Sequence, residues 1–189
     1  MDHTYIIQPG DLARYADTRD SQGVIPELVY HLVRYSVPHA TTCRIPYGDA
    51  MNQSGFDGLV ECNVGYFQFV PDGISCWEIG TGGNPQAKAA KEFLKRTKKL
   101  SEVERAESSF VFVTPRSGGA NGWEEPEQSA WIKRRNKRGW KRIQIIDGVK
   151  LADWLREFPG LGRWMAKKVG MWKRIQIIDG VKLADWLRE

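Results

Sequence analysis

The chain has 189 residues, 41% hydrophobic and 27% charged, enough to bury one sizeable core and too mixed for a disordered, collagenous or coiled-coil chain. No run reaches the ~18 apolar residues of a membrane helix, and the first residues lack the basic-then-apolar pattern of a secretory signal, so a cytoplasmic protein away from the membrane is expected. Net charge is +5, but residues 1–80 carry four basic and ten acidic side chains while residues 81–189 carry 24 and 13, which suits a protein acting on a polyanion and equally an unevenly charged surface.

In chain order, residues 8–17 read as a short helix and residues 24–36 as an amphipathic one. The second has Pro26 in its first turn, Leu28, Val29, Leu32, Val33 and Tyr35 at helical spacing, and a stop at Val37-Pro38. Residues 41–47 and 55–63 read as strands, and residues 74–79 as a third, reached through Pro71-Asp72-Gly73. After a loop over 80–85, Asn84-Pro85 opens a helix over 86–99, with Ala87, Ala90 and Leu94 on one side and Lys88, Lys91, Lys95 and Arg96 on others. Residues 109–114, SFVFVT, have the β-branched and aromatic character of a buried strand. A glycine-rich loop over 117–122 leads to a helix over 126–137, a strand over 140–146 and a helix over 148–157. This alternation predicts an α/β sandwich with a mixed sheet, hairpin-linked strands first and crossover-linked strands after.

Residues 140–157, WKRIQIIDGVKLADWLRE, recur letter for letter as residues 172–189. Ancient repeats diverge where packing does not constrain them, so the identity marks a recent duplication or an assembly artefact and not a solenoid. Residues 1–170 then form the domain and residues 171–189 an appendage carrying a duplicated strand-helix segment. One copy fills the original slot; the other is left to fold alone, extend a sheet edge or exchange with a partner chain. Cys43, Cys62 and Cys76 are odd in number and lack ligand spacing, which favours buried thiols over a disulfide framework or a structural zinc. The glycines at 80, 82 and 83 complete neither phosphate-loop pattern, and His3, His31 and His39 show no ligand spacing.

The candidate chemistry is acidic. Asp57 stands on the second predicted strand and Glu78 on the third; a hairpin pairing sets them side by side at one sheet end, where hard oxygens suit Mg²⁺. Lys88, early in the next helix, can position or deprotonate a water or stabilise charge on a phosphate, and Glu27 can orient Lys88 or ligate a metal through water. Plainer readings stand beside these. Asp57-Gly58 is a good type I′ turn, Glu78 an exposed strand residue, Lys88 a solvated helix residue and Glu27 a favourable acid near a helix N-terminus. The segment 131–142, WIKRRNKRGWKR, holds Lys133, Arg134, Arg135, Lys137, Arg138, Lys141 and Arg142 without an acid, a phosphate-neutralising cluster or a solvated helix end. Lys91, Lys95 and Arg96 join it as candidate nucleic-acid contacts. Arg116 is a phosphate contact or a structural ion-pair residue, and Trp131 and Trp140 are core anchors.

The succession Gly55-Phe56-Asp57-Gly58, residues 70–81 (VPDGISCWEIGT), Lys88, Lys95-Arg96-Thr97 and Phe112-Val113-Thr114-Pro115-Arg116 resembles the PD-(D/E)XK, or restriction-endonuclease-like, superfamily. More narrowly it is similar to the nuclease effector domains at the N-termini of large bacterial anti-phage NTPases, over about residues 27–164. The resemblance implies a restriction-endonuclease-like mixed β-sheet flanked by helices, with Asp57 and Glu78 as metal-binding carboxylates and the Ile79 carbonyl as a further ligand. It also implies Mg²⁺ or Mn²⁺ as cofactor, DNA as substrate, and a homo-oligomer or a larger NTPase-containing assembly. Asp72 matches the motif's letters but stands six residues before Glu78 in an apparent turn, so Asp57 is preferred. Where the family carries a lysine two residues after the Glu, this chain has Gly80, and Lys88 would reach that place from the helix. The expectation is a metal-dependent DNA endonuclease. The alternatives are a catalytically inactive nucleic-acid-binding module and an assembly or interaction module of the same fold.

Overall fold

The structure, a computed structural model, describes residues 7–47, 55–118 and 123–171. The second copy of the repeat and part of the glycine-rich loop lie outside the described residues. β1 (Thr42–Arg44), β2 (Gly58–Cys62) and β3 (Gly73–Ile79) pair antiparallel, and β4 (Ser108–Val113) and β5 (Arg142–Ile146) add in parallel, giving the order β1-β2-β3-β4-β5. Among the described residues seven α-helices accompany this open mixed sheet: α1 (Pro9–Tyr15), α2 (Ser21–Ser36), α3 (Pro85–Lys99), α4 (Glu102–Glu107), α5 (Glu125–Arg135), α6 (Gly148–Arg156) and α7 (Pro159–Lys168). The expected change from antiparallel to parallel pairing falls between β3 and β4, where α3 supplies the crossover that parallel neighbours need.

Successive strand side chains point to opposite faces, and β4 is buried throughout because each face meets a different core. Phe110 and Phe112 pack with Ala89 and Phe93 of α3, Trp131 of α5 and Trp140. Val111 and Val113 pack on the other side with Leu12 of α1, Leu28 and Leu32 of α2, Leu151 and Trp154 of α6, and Met165 of α7. Full burial of each such side chain contributes about 1.5–3 kcal/mol. Trp131 and Trp140 are core anchors as expected, at 1% and 6% exposure. The cysteines are free, Cys62 and Cys76 buried and Cys43 half-buried.

The departures have local causes. α2 begins at Ser21, so Pro26 lies inside the helix and leaves the Gln22 carbonyl without its intrahelical donor. β2 begins at Gly58, so Asp57 stands one residue before the strand. The basic helix ends at Arg135 and passes through a 3₁₀ turn, Asn136–Arg138, to Gly139, whose φ of +80° suits a residue without a side chain. α4 and α7 were not expected: α4 is started by a Ser101–Glu104 capping box, and Gly160 and Gly162 disguise α7, which Pro159 opens. No described helix is long and apolar enough to cross a membrane.

Candidate active site

Gly58 of β2 lies opposite Trp77 of β3, and one further step of that register sets Asp57 opposite Glu78. Residues opposite one another in an antiparallel pair share a face. Here it is the α3 face, to which Leu59 and its partner Cys76 also belong. Asp57 does not make a hairpin turn. Its Oδ2 accepts the Ile79 backbone N–H at 2.9 Å, tying the start of β2 to the end of β3. Gly58 answers to packing, since a Cβ there would meet Ile45 Cγ1 at 2.8 Å and Trp77 Cβ at 3.0 Å.

Glu78 is not an exposed strand residue; it is fully buried. Arg96 Nε donates to its Oε1, and its Oε2 is buried without a hydrogen-bond partner. Burial pushes the Glu78 carboxyl up to about 7 against the Arg96 hydrogen bond, and the nearby Asp57 charge pushes the same way. Arg96, itself buried, also donates to the Gly55 carbonyl and lies 4.6 Å from the Phe56 ring centroid. It therefore organises the segment before β2 as well as Glu78.

Lys88 Nζ donates to Glu92 Oε1 at 2.8 Å, one helical turn along α3. Burial acts to lower the ammonium's pKa, but Glu92, with Asp57 and Glu78 adding, outweighs it and holds Lys88 above its ordinary value. The buried Glu92 also has Lys95 at 3.7 Å and Arg96 at 4.0 Å. Orienting Lys88 was the role expected of Glu27; Glu92 performs it. Glu27 is not among the residues lining the cleft. At Gly80, a Cβ would stand 3.1 Å from Lys88 Cγ and 3.0 Å from Phe112 Cζ. The stem of Lys88 thus occupies room that a side chain at position 80 would need.

Asp57 and Lys88 line a cleft of about 360 Å³ together with Ile79, Gly80 and Thr81 at the end of β3 and Gln22 and Pro26 of α2. Gln22 was missed. Its position one turn before Pro26, on the same helix face, was the available signal.

The basic residues divide. Lys91, Lys95, Lys133, Arg134, Lys137 and Arg138 are exposed. Arg105 donates to the Thr97 and Leu100 carbonyls and to the Arg138 carbonyl, which sets the basic turn against the C-terminal end of α3. Arg135 is half-buried, 3.9 Å from the Trp131 ring centroid. Arg96, expected as a nucleic-acid contact, is instead a buried structural cation, and of the two readings of Arg116 the structure shows the ion-pair one. Arg116 donates to the Thr81 carbonyl at 2.9 Å and pairs with Asp17 at 2.6 Å, fixing the loop that leaves β3.

Among the described residues no cluster of three or more His, Cys, Asp or Glu side chains forms a metal cage. The oxygen donors at the sheet end are Asp57, Glu78 and backbone carbonyls. The buried Cys76 thiol is pushed up to about 12 by desolvation and is no nucleophile at neutral pH. Compared with known proteins, the chain matches no family model, no curated protein and no solved structure.

Proposed function

We propose that this chain is a metal-dependent DNA endonuclease with a restriction-endonuclease-like fold, serving as an effector module in anti-phage defence. The observation that carries the reading is the meeting of Asp57 and Glu78 across adjacent strands beside a lysine whose stem crosses Gly80. The element order supports it too, since α2, three antiparallel strands, α3 and a parallel β4 follow the order read from the sequence.

The donors fit Mg²⁺ or Mn²⁺: two carboxylates offer hard anionic oxygens, and the buried Glu78 Oε2 lacks a partner. Such a metal, when bound by Asp57, Glu78 and the Ile79 carbonyl, supplies charge neutralisation at a phosphodiester and an activated water. The chain's own residues provide the rest. Glu92 holds the Lys88 ammonium at the cleft, where it stabilises charge on a phosphate oxygen. Arg96 fixes the Glu78 carboxylate, and the exposed lysines and arginines of α3, α5 and the following turn neutralise backbone phosphates without reading sequence. Cutting both strands requires two such sites, supplied by a homo-oligomer or an NTPase-containing assembly.

The ion pair of Arg96 with Glu78 favours a second reading, an inactive nucleic-acid-binding or assembly module, because the guanidinium already neutralises one intended metal ligand. Supercoiled plasmid incubated with the parent, Asp57→Ala and Glu78→Ala in Mg²⁺, Mn²⁺ or chelator separates the two. Metal-dependent nicking by the parent alone supports the nuclease; salt-sensitive binding with no nicking by any of the three supports the inactive module.

A further inference from the structure

On the sheet face opposite α3, α2 and α7 frame a groove of about 630 Å³, lined by His31 and Tyr35 of α2, Glu157 and Phe158 between α6 and α7, and Leu161 and Trp164 of α7. Four ring systems therefore line one concavity, which shares no residue with the cleft of Asp57 and Lys88. Neighbouring ring centroids are evenly spaced: Phe158 to Tyr35 is 6.1 Å, Tyr35 to His31 6.3 Å and His31 to Trp164 6.2 Å. A cation is attracted to a ring face within about 6 Å of its centroid, so a head group seated between two neighbours meets both. Tyr35 is 60% exposed, which leaves the row of rings open to solvent.

Charge selects among occupants. Glu157 is the one Asp, Glu, Lys or Arg among the described residues that line the groove. Burial and then the Glu157 charge push the Tyr66 hydroxyl up, and the Tyr66 ring lies 6.0 Å from Phe158, so the carboxylate's field covers this corner. Backbone dipoles do not compete with it, because α6 ends and α7 begins here and the carbonyls of one offset the amides of the other. A carboxylate beside aromatic rings complements a cation, and the negative ring faces disfavour an anion. The protein already uses this attraction at Trp164, where Lys168 Nζ stands 5.5 Å from the ring centroid; Lys168 itself does not line the groove.

We propose that this groove binds a small organic cation, an alkylated ammonium carrying an apolar arm. The head group lies among the rings within reach of Glu157, and the arm lies along Phe158 and Leu161. A volume of about 630 Å³ falls in the range of small-ligand sites and exceeds a bare trimethylammonium head, hence the arm. Alkylation matters because a bare ammonium is strongly hydrated and ring faces offer it no hydrogen-bond acceptor in return. The inference goes beyond the nuclease reading and does not depend on it.

The test uses the full chain at pH 8, where imidazoles are ordinarily neutral. Saturation-transfer NMR titrations compare hexyltrimethylammonium, hexanoate, choline and the neohexyl alcohol that is choline's uncharged isostere. Expected are saturable binding of hexyltrimethylammonium, about tenfold or more tighter than hexanoate, and choline held about tenfold more tightly than its isostere. Glu157→Gln and Tyr35→Leu, both at exposed positions, should each weaken hexyltrimethylammonium about three- to tenfold, with thermal midpoints matching the parent's. Equal affinity for choline and its isostere overturns the proposal, because apolar burial alone then accounts for binding. Unchanged affinity in both variants, a preference for hexanoate, or no saturable binding of the cation overturns it as well. The comparison of probes on the parent decides the matter even where a variant fails to fold.

Discussion

Replacing Glu78 by Gln examines the energetic consequence of burying a carboxylate at the site. Burial moves this carboxyl from 4.5 to about 7. At about 1.4 kcal/mol per pH unit, the difference corresponds to about 3 kcal/mol of preference for the protonated form in the folded chain. The sign follows from proton binding. Between the unfolded and folded pKa values the native state holds more protons than the unfolded one, so stability is fully present below 4.5 and is lost as pH rises through about 7. Glutamine imitates the protonated acid at every pH, and other groups titrate alike in both proteins, including Glu92 and Asp72, whose lowered values act at acid pH. Urea unfolding at pH 5 and pH 8.5 should therefore show the parent losing about 3 kcal/mol relative to Glu78→Gln. Adding Mg²⁺ at pH 8.5 should stabilise the parent by mass action and leave the variant unmoved. A parent-to-variant difference that changes by less than about 1 kcal/mol across this range would refute the raised pKa and the burial cost behind it.

Other consequences follow from the same contacts. Gly80→Ala places a Cβ against Lys88 and Phe112, so it should cost about 1 kcal/mol in urea unfolding and slow plasmid cleavage by moving the ammonium, with DNA affinity unchanged. Arg96→Ala removes the hydrogen bond and charge that oppose burial at Glu78, so the carboxyl should stay protonated to higher pH and the pH-dependent loss of stability should extend above 7, read from the same unfolding curves. Joint replacement of Lys133, Arg134, Lys137 and Arg138 by Ala should flatten the logarithmic salt dependence of DNA binding by about 3 to 4, measured by fluorescence anisotropy, without shifting the thermal midpoint. Trp154→Ala should cost about 3–5 kcal/mol of core packing, read by thermal denaturation.

The parts of the fold legible in the sequence are those whose pattern is local. β3, β4 and α3 announce themselves through apolar runs and an Asn84-Pro85 start, and the hairpin-to-crossover order follows from their spacing. The meeting of Asp57 with Glu78 was legible for the same reason, because a hairpin fixes register within a few residues. What stayed hidden depends on partners distant in the chain. Arg96 and Arg116 look like free cations until Glu78 and Asp17, 18 and 99 residues away, are brought against them. Glu92 was a visible i,i+4 neighbour of Lys88, but its burial against the sheet, which makes the pair more than a surface contact, is set by tertiary packing. Gln22 was obscured by the proline that appeared to mark a helix start and instead sits inside the helix. α7 was hidden by glycines that propensity alone disfavours.

The central claim is that the cleft lined by Asp57 and Lys88, with the buried Glu78 opposite Asp57 in the strand register, breaks DNA backbones. The most direct measurement compares the parent, Asp57→Asn and Lys88→Met on one duplex, with affinity measured in chelator and strand scission in Mg²⁺. The account predicts scission by the parent alone, with Asp57→Asn binding in chelator at least as well as the parent and Lys88→Met weakened by no more than one phosphate contact. Scission that persists in Asp57→Asn, or that proceeds in chelator, would contradict it.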